Sequence, residues 1–116
     1  MSNQEFSQII NNYVQQLESL SNAADDQVKE IVQESIEDII DFESEDPMDR
    51  LSLDLIEKIE KHLGCYIEDY YRDYMTDDDF EDIAEIYANW IVEYELVDDY
   101  IKFLKWYAKK ILTYDE

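Results

Sequence analysis

Residues 66–82, YIEDYYRDYMTDDDFED, gather Glu68, Asp69, Asp73, Asp77, Asp78, Asp79, Glu81 and Asp82 around a single Arg72, interleaved with Tyr66, Tyr70, Tyr71 and Tyr74. Carboxylates at this density can hold a cation, keep a surface solvated, or stand in for another polyanion. A calcium loop of the EF-hand kind needs oxygen ligands at positions 1, 3, 5 and 12 and a glycine at position 6. The chain's one glycine is Gly64, outside the TDDDFED run, so a dedicated calcium loop lacks its turn.

Two magnesium patterns also occur. DDFED, residues 78–82, fits the DDxxD pattern that holds magnesium against diphosphate in isoprenoid enzymes, but 116 residues are far too few for that fold. Glu34 with Glu37 and Glu95 with Asp98 form an ExxE pair and an ExxD pair. In these four residues the chain resembles the MazG-like all-α nucleoside triphosphate pyrophosphatases. That resemblance implies carboxylates from two helices converging on a cation that bridges phosphates. The basic residues expected beside a triphosphate are lacking. His62 and Cys65 lie three apart at a helix end with no third orienting group, so nucleophilic catalysis has little support. No catalytic residue, cofactor or metal is expected.

The tyrosines carry a different chemistry. Tyr66, Tyr70 and Tyr74 recur at i, i+4 and i+8, which is one stripe of a helix. Ten Tyr against four Phe is a biased ratio. Core packing with hydroxyls reaching the surface explains it. So does an interface, because Tyr supplies contact area at small entropic cost. Tyr70 and Tyr74 are the candidate aromatic anchors.

Helices must position these groups. With one Gly, one Pro and 46% hydrophobic residues, the chain has few tight turns and enough apolar surface for one core. The expected fold is all-α, a compact single-domain bundle of five to six helices with a strongly acidic surface. Periodicity predicts helices from about Asn3 to Leu20 and from about Asp25 to Phe42. A third is predicted to start at Asp46-Pro47 and stop at Gly64, with Leu51, Leu55, Ile56, Ile59 and Leu63 on its apolar face. A short segment over 65–75 holds the tyrosines. Thr76 with Asp79 resembles a capping box that opens a fifth helix, whose face runs from Phe80 to Tyr94. The sixth is predicted from about Val97 to Tyr114.

The charge is uneven. Thirty-one acids against nine bases give −22, and self-repulsion on that scale opposes folding. Residues 25–46 hold ten acids and one Lys, and residues 65–99 hold thirteen acids and one Arg. These two blocks carry nearly the whole net charge. The third helix is almost balanced, and Lys102, Lys105, Lys109 and Lys110 make the last helix a candidate partner for part of the load. On the second helix, Asp26, Glu30, Glu34, Glu37, Asp38 and Asp41 fall opposite its apolar arc, most of them three or four residues and so ~4.5–6 Å apart in axial rise. Like charges so spaced cost a few tenths of a kcal/mol per pair, a cost the helix's own folding does not explain.

Such a balance disfavours direct binding to nucleic acid or anionic membrane and favours a basic partner. No stretch approaches the ~18 apolar residues of a membrane span. A lone cysteine and a polar N-terminus are those of a cytoplasmic protein. Duplex DNA carries one charge per ~1.7 Å, so about 22 charges match roughly one helical turn. In size, helicity and charge the whole chain resembles the acidic all-helical DNA mimics of phages, the Ocr-like antirestriction proteins, a character shared by anti-CRISPR proteins. The likeness rests on no motif, so no residue role is carried over. It implies a non-enzymatic, dimeric inhibitor of a basic nucleic-acid-binding complex of host defence. Asp26, Glu30, Glu34, Glu37, Asp38, Asp41, Glu68, Asp69, Asp73, Asp77, Asp78, Asp79, Glu81, Asp82 and Glu85 would form its partner-binding surface. The alternatives are an immunity protein or antitoxin that caps a basic nuclease toxin, and an acidic adaptor.

Overall fold

Helix α1 (Asn3–Ser19) begins where the Ser2 hydroxyl accepts the Glu5 amide at 3.1 Å, satisfying one of the donors every helix start leaves open. The computed structural model describes residues 2–20, 25–43, 51–74 and 83–113. Five further helices follow among the described residues: α2 (Asp25–Glu43), α3 (Leu53–Leu63), α4 (Ile67–Tyr74), α5 (Ile83–Glu93) and α6 (Val97–Thr113). The described residues contain no strand. The fold is all-α, as the periodicity predicts.

Two helix pairs make up most of the bundle, α1 on α6 and α2 on α5. The first pair is antiparallel. Asn3 Nδ2 donates to the Ile111 carbonyl at 3.0 Å and Ser7 Oγ to that of Ala108 at 2.8 Å, while Leu17, Val97 and Ile101 line one pocket at the other end. The pairs join through α1 and α2, where Phe6 stacks on Phe42 with centroids 4.0 Å apart. Phe6, Ile10, Val14 and Leu17 from α1 are buried with Val32, Ile36 and Ile39 from α2 and Leu104 and Ile111 from α6. Each such side chain contributes about 1.5–3 kcal/mol through removal from water. Tyr87, Tyr100 and Tyr107 also lie fully inside. The tyrosine excess is therefore partly a core feature.

One polar link crosses this core. Ser35 Oγ lies 2.7 Å from the Val32 carbonyl and 2.6 Å from the Tyr100 hydroxyl. The carbonyl can only accept, so the serine donates to it and accepts from Tyr100. That bond ties the middle of α2 to α6.

Helix ends account for most departures from the sequence expectation. Gly64 stops α3 as predicted, in left-handed backbone with φ 77° and its amide on the Glu60 carbonyl at 2.9 Å. The Glu60 carboxylate accepts the Ile67 amide at 2.9 Å and so caps α4. The start of α3 differs. Ser52 caps it by accepting the Leu55 amide at 3.2 Å, and Leu51 is buried ahead of the helix rather than on its first turn. The predicted Asp46-Pro47 start lies outside the described residues, as do the Thr76–Asp79 cap and Phe80. Helix α5 ends in a Schellman turn, with Leu96 N–H on the Ile91 carbonyl at 2.8 Å and Glu95 N–H on that of Val92 at 3.2 Å. Its left-handed residue is Glu95, φ 57°, where glycine is usual.

Candidate interaction surface

Helix α2 separates its two faces cleanly. Val28, Val32, Ile36 and Ile39 are buried, and Asp26, Glu30, Glu34, Glu37 and Asp41 are exposed on the other side. From Asp26 to Asp41 the row spans ~22 Å of helix axis. Among the described residues no Lys or Arg pairs with these five; Glu37 alone has a side-chain contact, from Gln33 Nε2 at 3.3 Å. The helix's own base, Lys29, turns to Glu85 of α5 at 3.5 Å. Glu85 is therefore an interhelical ion-pair partner as well as a half-exposed carboxylate.

Asp38 differs from these five. It is half-buried and accepts a hydrogen bond from the Tyr13 hydroxyl of α1, so it meets a neighbouring helix as well as solvent. Burial, then that bond, then the charges of Asp38, Glu34 and Glu37 hold the Tyr13 phenol well above the ordinary tyrosine range. The phenol stays protonated and keeps donating. A helical wheel places Asp38 on the polar side, but it cannot show that a tyrosine from another helix reaches it.

The α4 block has a different character. Arg72 lies 3.1 Å from Asp69 and 3.2 Å from Asp73, and the exposed Glu68 has no such partner among the described residues. These pairs are solvent-exposed and contribute little to stability. Tyr70 packs edge-on against Trp90 with centroids 5.3 Å apart, and Tyr74 leans on Tyr70 at 5.2 Å. Tyr66 and Tyr74 are 70% and 71% exposed. The stripe thus has one half-buried member between two open ones. Asp77, Asp78, Asp79, Glu81 and Asp82 lie outside the described residues.

Among the described residues no lysine of the last helix pairs with either acidic block. Lys105 pairs with Glu18 of α1 at 3.1 Å, and the Lys110 ammonium sits 4.5 Å from the centroid of Trp106. Lys102 and Lys109 are exposed and make no ion pair among the described residues. A lysine of α3 relieves the second block instead, with Lys58 on Asp99 at 2.6 Å.

No family model, curated protein or solved structure matches the chain. The geometry must therefore be read by itself. Among the described residues no three His, Cys, Asp or Glu side chains converge as a metal group. Glu34 and Glu37 stand on the open face of α2, whereas Glu95 and Asp98 line a pocket that those two do not reach. His62 stacks on Tyr94 with centroids 4.6 Å apart, and Cys65 is a half-buried free thiol. No helix among the described residues is long and apolar enough to cross a membrane.

The pocket just mentioned is a feature the sequence reading missed. It holds about 570 Å³ where the ends of α1 and α5 meet the starts of α2 and α6. Leu17, Leu20, Val28, Val92, Val97 and Ile101 form its apolar wall. Glu18, Asp25, Glu95 and Asp98 ring its mouth. These residues come from four different helix ends, so periodicity along any one segment carries no sign of the cavity.

Proposed function

We propose that this protein is a non-enzymatic inhibitor that presents carboxylates in place of phosphates to a basic nucleic-acid-binding complex of host defence, of the restriction or CRISPR type. The observation that carries this reading is the open row Asp26, Glu30, Glu34, Glu37 and Asp41, fixed on a helix whose opposite face is buried. One strand of duplex DNA offers a charge every ~3.4 Å of axis, and the α2 row offers one every ~5–6 Å. That density is lower than a strand's by less than a factor of two. The protein's long dimensions of 40 and 34 Å also suit the length over which a duplex carries about 22 charges, roughly 37 Å. A groove that binds phosphate backbones would release counterions on meeting such a face, as it does on meeting DNA. Base edges are absent, so the fitting target is one that binds chiefly through the backbone.

The deciding experiment is an affinity capture from host lysate, repeated with competing duplex DNA, followed by titration of the captured target. DNA and the protein should compete, with affinity falling steeply as salt rises. Replacing the five α2 acids by Gln or Asn should weaken binding on the order of a hundredfold to a thousandfold and flatten the salt slope by about four to five. Binding that survives these changes and ignores DNA removes the proposal.

The exposure of Tyr66 and Tyr74 favours one other reading, an immunity protein that caps a basic nuclease toxin through aromatic anchors. There, Tyr74→Ala would abolish binding while the five charge changes would barely alter it.

A further inference from the structure

The pocket at the α1–α2 and α5–α6 junctions combines two properties that the α2 face lacks: an apolar wall set back in an open cleft and carboxylates set apart around its mouth. At about 570 Å³ it falls within the usual range for small-molecule sites, ~300–1,000 Å³. Leu17, Val28 and Ile101 form a buried floor with no polar side-chain atom, which suits methylene groups. The rim excludes a point cation as the best ligand. Calcium or magnesium needs several oxygens within ~2.0–2.6 Å of one centre, and these carboxylates do not converge as a metal group. Charges held apart over an apolar floor match a ligand whose own charges are separated by alkyl chain. The rim also already engages one alkylammonium, since Lys105 reaches Glu18 at 3.1 Å. Asp25, Glu95 and Asp98 are exposed and make no ion pair among the described residues.

We propose that this pocket binds an aliphatic polyamine, with its methylenes on Leu17, Val28 and Ile101 and its ammonium groups at Asp25, Glu95 and Asp98. The site is separate from the α2 row and does not depend on the inhibitor reading. Polyamines are the counterions that duplex phosphates attract, and here apolar contact adds selectivity for the alkyl chain that an open carboxylate row cannot supply.

The test is methyl and amide chemical-shift mapping on the full chain at physiological salt, with spermidine as probe and 1-pentanol and magnesium as controls. Spermidine should produce saturable shifts at Leu17, Val28, Val97 and Ile101, and neither control should reproduce them. Glu95→Gln with Asp98→Asn should weaken spermidine about tenfold, the loss expected for charge-assisted contacts. Val97→Phe, which narrows the mouth and keeps every charge, should weaken it as well. Glu30→Gln with Glu34→Gln should leave it unchanged. The proposal is overturned if spermidine shifts the α2 face as strongly as the pocket, or if magnesium gives the same pattern, since either means a diffuse ion cloud. Equal binding of 1-pentanol overturns it too, as does an oligolysine peptide that fills the pocket where spermidine does not.

Discussion

The carboxylates of α2 and those of α4 are alike in type and differ in what lies beneath and beside them. Helix α2 has nineteen residues, and its apolar face is locked into the core through Val32, Ile36 and Ile39. Among the described residues its outer acids make no ion pair. Helix α4 has eight residues, and Arg72 engages two of the three described acids there, between exposed tyrosines. A carboxylate thus becomes part of an electrostatic array only where a rigid support holds it and no neighbour answers it. On α4 the same group becomes the rim of an aromatic contact patch.

Breaking the support should have the largest effect. Ile36→Ala opens a cavity under the middle of α2 and should cost about 2–5 kcal/mol in urea denaturation, lowering the stability of the whole domain. Ser35→Ala removes the acceptor for the buried Tyr100 hydroxyl and should cost about 1–3 kcal/mol in the same measurement. The equivalent change on α4, Tyr74→Ala, should stay within about 0.5 kcal/mol because that side chain is mostly in water.

Alkaline pH sharpens the contrast further. Burial holds the Tyr100 phenol well above the ordinary tyrosine range. The neutral phenol is favoured in the folded state, so its stabilising share is complete below the unfolded value near 10. Above that pH the unfolded chain loses the proton first, and stability should fall by about 1.4 kcal/mol per pH unit until the folded phenol also ionises. Stability measured from pH 9 upward should decline less steeply in Tyr100→Phe. The smallest effect belongs to the array itself. Glu34→Gln removes a like charge beside Glu30 and Glu37 and should raise stability by a few tenths of a kcal/mol. A loss of stability there would mean that these acids support the fold rather than burden it.

The long helices were legible because their apolar residues repeat every three or four positions. The observed limits of α1, α2 and α6 fall within a residue of the expected ones. Gly64 was legible because only glycine adopts left-handed backbone without cost. The start of α3 was not, since Ser52 offers the backbone a local cap as good as any farther upstream. Outward placement of Asp26, Glu30, Glu34, Glu37 and Asp41 followed from the wheel alone. Asp38 and Glu85 escaped it because Tyr13 and Lys29 approach from other helices, and periodicity within one segment holds no information about another. The pocket escaped for the same reason. Its wall is assembled from the ends of four helices, and Glu95 reaches the mouth from a turn that the sequence would assign to glycine.

The pairing of α1 with α6 sets the order in which the molecule can be made. Asn3 with Ile111 and Ser7 with Ala108 are contacts across 108 and 101 positions. Of the six described helices α1 leaves the ribosome before the others, yet the helix that covers Phe6, Ile10, Val14 and Leu17 is the last of them to be made. At about 5–20 residues per second that interval lasts roughly 5–20 s. During it an amphipathic stripe stays open while the chain behind it becomes steadily more negative. The acidic blocks are synthesised within that window, and mutual repulsion between nascent chains would then keep the uncovered stripes from finding one another.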